Sequence, residues 1–228
     1  MIRSRRSARS FLPTPLPLGE IEEILADAQS SPSNSNTQPW TVHVVSDPKR
    51  RVISERMLEQ FEAGRQSPDF TSGYGDGTYA DRAGAHGATL YGALGIERAD
   101  AERRLEVQRD NLRFYGAPHV AFLFMPMIGD GVRTASDIGM YAQTFLLSLE
   151  ARGYNGIPQT MVGMYADDVR AVLEVPDDMK LLFGISFGTA DPTEPVNDLR
   201  MHRLPVASTA VVHDGRSEAA SSPPERQA

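Results

Sequence analysis

Apolar residues recur at helical spacing in Ile21, Ile24, Leu25 and Ala28, so residues 19–29 are predicted to form an amphipathic helix that stops before Pro32. Thr41 to Val45 reads as a strand. Pro48 is well placed for the first turn of a second helix running to about Ala63. Residues 64–84 are irregular, with a Gly-rich loop at Gly73–Gly77, and a glycine-rich helix is expected from Ala85 to about Leu94. Glu102 to Arg113 reads as a charged helix, and Gly116-Ala117-Pro118 breaks it. His119 to Met125 is a short apolar run bounded by prolines, the pattern of a buried strand. The strongest helix follows at Asp137–Arg152. Ile138, Tyr141, Ala142, Phe145, Leu146 and Leu149 form one broad stripe, and Gly153 stands where a C-terminal cap belongs. Asp167 is expected to cap a helix containing Val169, Val172 and Leu173, and Lys180 to Phe187 is a second apolar strand.

This order predicts an α+β fold, a small, mainly antiparallel central sheet surrounded by helices. Three clear strands are few for 228 residues, so a further strand from the C-terminal segment is expected. From Asp214 the chain turns to Ser, Glu, Pro and Ala without periodicity. The expected organisation is a single domain over residues 1–212 and a disordered tail over 213–228.

Composition narrows the function. The net charge of -7 argues against a nucleic-acid binder, which carries a basic face. The longest apolar run, Val120 to Met127, is far short of the roughly 20 residues of a membrane span. With no cysteine, disulfides, thiolate metal sites and cysteine nucleophiles are excluded, and a cytoplasmic setting is expected. The five histidines are scattered, without the i, i+4 spacing of a helical metal site. Neither a Walker loop nor a G-x-G-x-x-G after a strand is present.

Two segments carry candidate chemistry. Arg5-Arg6-Ser7-Ala8-Arg9-Ser10-Phe11 gathers three guanidinium groups and two hydroxyls, which suits a phosphate because arginine offers a permanent charge and a planar donor fork. Pro32-Ser33-Asn34-Ser35-Asn36-Thr37-Gln38-Pro39-Trp40 is a turn-rich loop dense in hydrogen-bonding groups. Ser4-Arg5-Arg6-Ser7 faintly suggests a twin-arginine export signal, but Pro13, Pro15 and Pro17 stand where such a signal needs an apolar stretch. Gly184-Ile185-Ser186-Phe187-Gly188 matches the G-x-S-x-G nucleophile elbow of α/β-hydrolases. That motif needs a helix directly after the strand, and Thr189-Ala190-Asp191-Pro192 is a poor start for one.

The ordered set of segments resembles the FMN-dependent nitroreductase family over roughly residues 3–212. The Arg-Arg-Ser-x-Arg start and the Pro-Ser-x-x-Asn-x-Gln-Pro-Trp loop are joined by the 116–119 strand entry, the 137–152 helix and the Gly153–Gln159 loop. Phe183–Gly188 and the basic stretch Asn197–Pro205 complete the match, and the middle segment around Leu90–Asp100 is similar to a subgroup that includes nitrobenzoate reductases. The resemblance implies an intertwined homodimer holding FMN at the subunit interface. Arg5, Arg6, Ser7 and Arg9 match the first flavin motif, with Arg5 toward the phosphate and Arg9 near the ring, where a cation stabilises reduced flavin. Pro32, Ser33, Asn34 and Asn36 match a loop given by the second subunit. Pro158 and Gln159 match the loop beside the ring's redox edge, Arg203 matches a phosphate-binding arginine, and Arg113 a second ring-contacting basic residue. This chain has Met201 where the family has another basic residue, with Arg200 beside it, and Pro158-Gln159-Thr160-Met161 where the family has Pro-x-Glu-Gly.

The implied activity is ping-pong reduction of nitroaromatics, quinones or similar small electron-poor acceptors, with hydride passing from NADH or NADPH through flavin N5. The alternatives are a specialised biosynthetic flavin oxidase or dehydrogenase on the same fold, or a flavin-binding protein without turnover. The sequence leaves the acceptor and the choice of nicotinamide open.

Overall fold

The computed structural model describes residues 2–213. The predicted disordered tail from residue 214 lies outside them. Six helices and four strands follow in the order α1 (Leu18–Gln29), β1 (Thr41–Val45), α2 (Lys49–Glu62), α3 (Thr78–Ala93), α4 (Ala101–Leu112), β2 (His119–Pro126), α5 (Val132–Ala151), β3 (Asn155–Gln159), α6 (Ala166–Leu173) and β4 (Met179–Gly188). The strands form one antiparallel sheet in the order β1-β2-β4-β3. No described helix is long and apolar enough to cross a membrane.

The sheet is the middle of three layers. Along β2, Val120, Phe122 and Phe124 join a core with Ile53 and Met57 of α2 and Val169 of α6. The alternate residues Ala121, Leu123 and Met125 join a second core with Ile24 and Ala28 of α1 and Ile138, Phe145 and Leu149 of α5. A strand covered on both faces is apolar at every position, which is why β2 stands out in the sequence as a continuous run. At the end of α5, Gly153 adopts a φ of 80° and the bonds Gly153 N–H to Glu150 (3.2 Å) and Tyr154 N–H to Leu149 (2.9 Å) close the expected cap.

The structure corrects several expected boundaries. The fourth strand is not C-terminal: it is Asn155–Gln159, read from sequence as a loop. Pro158 is tolerated because β3 lies at the edge of the sheet, where a missing N–H breaks little of the ladder. Gly156 packs closely there: a Cβ would lie 2.9 Å from methyls of both Leu146 and Leu149 on α5, which would have to shift. α3 begins at Thr78, seven residues before the expected Ala85, and only Leu90 of it is buried, so it carries no apolar stripe. α5 begins at Val132 rather than at Asp137, with Val132 and Arg133 exposed and Thr134 buried in its first turn. Asp167 is not the cap of α6; it sits in the first turn and pairs with Arg170.

The G-x-S-x-G match has a packing origin. Ser186 lies fully buried inside β4, no helix follows, and its Oγ donates to Gln159 Oε1. Gly184 is small because a Cβ would meet Val162 Cγ2 at 2.7 Å, and Gly188 because it would meet Pro118 Cδ at 2.7 Å. The hydrolase expectation is therefore dropped.

His119 fixes the N-terminal segment to the sheet. Its Nε2 accepts from the Leu16 N–H at 2.8 Å, so its proton belongs on Nδ1, which meets Ser46 Oγ at 2.6 Å. The ring stacks on Phe187 with centroids 5.2 Å apart.

Two outcomes follow for stability. Burial, then the nearby Arg50 charge, holds the His119 pKa below its ordinary value. The unfolded chain therefore takes up this proton first, and stability falls as pH drops below about 6.5. His43 and His86 are lowered too and add slope of the same sign. The melting temperature is expected to be lower at pH 5.5 than at pH 7.5, with a smaller difference in His119→Gln; an unchanged difference in that variant contradicts the assignment. Ser186→Ala leaves Gln159 Oε1 without its donor and is expected to destabilise the fold by about 1–3 kcal/mol in denaturant titrations. The wild-type serine is expected to resist a fluorophosphonate probe, and labelling at Ser186 would restore the nucleophile reading.

Candidate functional site

The N-terminal segment reaches its place by joining the far end of the chain. Ser7 bridges Gly156 on the open edge of β3, and Phe11 bridges Ala190. Main-chain bonds run from Leu12 N–H to Thr189 (2.9 Å), from Asp191 N–H to Ser10 (3.0 Å) and from Phe11 N–H to Tyr115 (3.2 Å). Ala8 and Phe11 are buried in the core, while Arg5, Ser7 and Arg9 line a cavity beside it. Asn197 is the clamp. Its buried side chain donates to the carbonyls of Ser10 and Asp191, both at 2.9 Å, and accepts the Arg9 N–H at 2.8 Å. Its own carbonyl accepts from Arg6 Nε.

The result is a cavity of about 590 Å³ whose wall includes Arg3, Arg5, Arg6, Arg9, Arg200 and Arg203, with Ser7, His86 and Gln143. No carboxylate lines it among the described residues. Arg5 Nη1 is buried and has no hydrogen-bond partner among the described residues. Burial, then the charge of Arg203, pushes the Arg5 pKa down, and Glu150 partly offsets this. Among the described residues, Arg203 Nη1 donates to the carbonyls of Met201 and His202, each at 3.2 Å. His86, on α3, has its pKa lowered by burial and then by Arg9 and Arg203. Such a cavity holds uncompensated positive charge, with donors waiting for an anion.

Of the residues singled out from sequence, Arg5, Arg6, Ser7, Arg9 and Arg203 meet in this cavity, and Arg200 joins them. Pro32, Ser33, Asn34 and Asn36 do not line it within one chain. They form the turn between α1 and β1, where the Asn34 N–H donates to both Asp137 carboxylate oxygens at 3.2 Å and Ser33 Oγ accepts the Gln38 N–H at 2.9 Å. The Asn34 and Asn36 side chains are exposed. Arg113 is also outside the cavity wall. It ends α4 in ion pairs with Glu106 and Asp110, which raise its pKa through the Glu106 hydrogen bond first. Pro158 is exposed on β3, while Gln159 is 2% exposed and donates from Nε2 to Asn111. The Gln159 side chain thus faces the core, leaving only its main chain at the sheet edge. Sequence reasoning missed Asn197 as the clamp, and it left His86 among scattered histidines.

Beside this cavity, and sharing Arg9 with it, lies a smaller one of about 250 Å³ whose wall is largely apolar, from Leu94, Ile96, Val107, Val196 and Tyr115, with Arg103, Glu106 and Asp110 also lining it. A charged chamber adjoining an apolar one suits a ligand with a phosphate and a ring.

Comparisons with known proteins agree with this geometry. The model of the nitroreductase family matches residues 2–189. The chain is similar to nitroreductase NfnB of Mycolicibacterium smegmatis, 41% identical over 211 residues that cover 92% of this chain and 89% of that protein. It is also similar to a 4-nitrobenzoate reductase of Pseudomonas putida, 33% identical over 208 residues covering 89% of each. The crystal structure of the FMN-dependent nitroreductase NfnB from Mycobacterium smegmatis in complex with NADPH superimposes with a TM-score of 0.89 at 40% identity, covering 93% of this chain and 96% of that one. With its length matched by the family model and by such relatives, the chain belongs to the nitroreductase family.

Proposed function

We propose that this protein is an FMN-dependent oxidoreductase that takes reducing equivalents from NADH or NADPH and passes them to nitroaromatics, quinones or similarly electron-poor small molecules. The observation that carries this reading is the buried, unpartnered Arg5 Nη1 in a wall of six arginines without a carboxylate. A phosphate monoester supplies the missing acceptors and charge, so the residues present fit FMN. When bound, FMN supplies the two-electron chemistry between reductant and acceptor.

The chain's own residues bind and orient it. Arg5, Arg6, Ser7 and Arg203 hold the phosphate, with Arg200 compensating for Met201. Arg9, shared with the apolar chamber, faces the ring and stabilises the negative charge that reduction places there. Pro158 and Gln159, whose main chain lies on the edge strand β3, would border the ring. The working unit is a homodimer in which the exposed Asn34–Asn36 turn of one subunit closes the arginine cavity of its partner. The exposed amides of that turn, distant from their own chain's cavity wall, support this arrangement.

The direct test is an anaerobic titration. The purified protein is expected to carry a flavin absorbance spectrum that NADPH or NADH bleaches and a nitroaromatic or quinone restores; a colourless protein that does not take up FMN overturns the proposal. Arg5→Ala and Arg203→Ala are each expected to weaken FMN binding about 10- to 150-fold, the worth of one charge-assisted phosphate contact. Unchanged retention in both removes these residues from the phosphate site.

The shared site is tested by mixing subunits. Arg5→Ala and the Asn34→Ala/Asn36→Ala variant are each expected to bind FMN poorly, yet their mixed dimer has one intact site and recovers binding at about half of its sites. No recovery in confirmed mixed dimers, or an FMN-loaded monomer, refutes the shared site.

A further inference from the structure

Behind Arg9 runs a chain of polar side chains that the proposed function does not use. Ser186 Oγ donates to Gln159 Oε1. Gln159 Nε2 donates to the Asn111 carbonyl at 2.7 Å and to Asn111 Oδ1 at 3.0 Å. Asn111 Nδ2 donates to the Tyr115 hydroxyl oxygen at 2.9 Å. One main-chain group sets the direction of all these bonds. The Asn111 carbonyl only accepts, so Gln159 must turn its NH2 toward it and its oxygen toward Ser186. The same NH2 forces Asn111 to offer its oxygen to Gln159 and its own NH2 to Tyr115. The Tyr115 oxygen therefore always receives a hydrogen bond from Asn111.

Arg9 stands beside this phenol. Both residues line the apolar chamber, and Arg9 lowers the phenol pKa by charge and by hydrogen bonding against the larger, raising effect of burial. Arg9 Nη1 donates to the Ser7 carbonyl at 3.2 Å, and the guanidinium, which has only donors, has the phenol oxygen as a further acceptor group in the wall of the same chamber. The backbone adds a second hold. Phe114, Tyr115 and Gly116 take consecutive φ values of 60°, 52° and 76°, a conformation bulky residues adopt only where their surroundings fix it. In that conformation the Tyr115 carbonyl accepts the Phe11 N–H, two residues beyond Arg9.

We infer that Tyr115 is a positioning residue for Arg9: backed by Asn111, Gln159 and Ser186, it fixes the guanidinium at the ring end of the cavity and thereby raises the reduction potential of the bound flavin. This inference rests on the FMN reading above. A cation stabilises reduced flavin in proportion to how well it is held, because a wandering side chain lets solvent screen the charge.

The test is the midpoint potential of bound FMN, measured by dye equilibration. Tyr115→Phe is expected to reduce the preference for reduced over oxidised FMN about tenfold, a fall of about 30 mV for a two-electron couple. Arg9→Gln is expected to lower the potential at least as far, and Arg9→Gln/Tyr115→Phe no further than Arg9→Gln alone, since Tyr115 acts through Arg9. Asn111→Leu keeps the main-chain carbonyl for Gln159 and is expected to shift the potential in the same direction; it decides the matter if Tyr115→Phe does not fold. A wild-type potential in Tyr115→Phe, or in Asn111→Leu where that variant decides, overturns the inference, as do additive shifts in the double variant. Wild-type protein that binds FMN and is bleached by NADPH, with the potential unmoved by these variants, leaves the FMN reading intact and removes only the role of Tyr115. Wild-type protein that binds no FMN overturns both.

Discussion

The arginine cavity depends on one buried amide. Asn197 uses both donors and its side-chain oxygen on three main-chain groups, at Ser10, Asp191 and Arg9, and so ties the N-terminal segment to the strand exit after β4. Arginines repel one another, and six of them do not collect around a cavity by mutual attraction. They are brought together by neutral contacts: this amide, the insertion of Ala8 and Phe11 into the core, and the short bridges to β3 and Ala190. The hydrophobic core thus carries the cost of assembling like charges, and a bound anion relieves it.

The three-layer body serves this arrangement in two ways. The sheet offers β3 as an edge, and an edge with free main-chain groups is what Ser7 needs for its bridge. The layer beyond α4 supplies the turn Phe114–Gly116, which reaches both the Phe11 main chain and the surroundings of Arg9. Flexible, long arginine side chains are consequently carried on a backbone that is fixed at several points, so orientation is set by the scaffold instead of by the side chains themselves.

The parts legible in the sequence are those whose physics is local. β2 and β4 announce themselves because burial on both faces makes most of their positions apolar, and α5 because a single broad stripe meets the sheet. β3 was hidden because Gly156 and Pro158 look like a turn; their strand geometry comes from β4 on one side and from the crowding of Leu146 and Leu149 on the other. The start of α3 was hidden because an exposed helix has no burial pattern to read. At the site, Arg5, Arg6 and Arg9 were visible as residue types suited to phosphate and Arg203 through the family resemblance, whereas Asn197 was not, since no local spacing reports that an amide meets residues at the opposite end of the chain. The motif around Ser186 was read correctly as a buried strand, and close packing of Gly184 against Val162 and of Gly188 against Pro118 explains why it carries the same glycines as a catalytic turn.

The bonds from Asn197 to Ser10, Arg9 and Arg6 span 187, 188 and 191 residues. Pairings within the sheet close much shorter loops, so the ladder is expected to form while the arginine segment is still loose. In energetic terms the binding cavity is then a local unfolding unit, opening at less cost than the sheet it rests on. On the proposed reading, in which Arg5 from one segment and Arg203 from the other hold the ligand, its binding acts as a crosslink on that unit. It makes the slowest contacts of the fold also the ones most strengthened by occupancy, so cofactor content and resistance to proteolysis of the N-terminal segment become a single property.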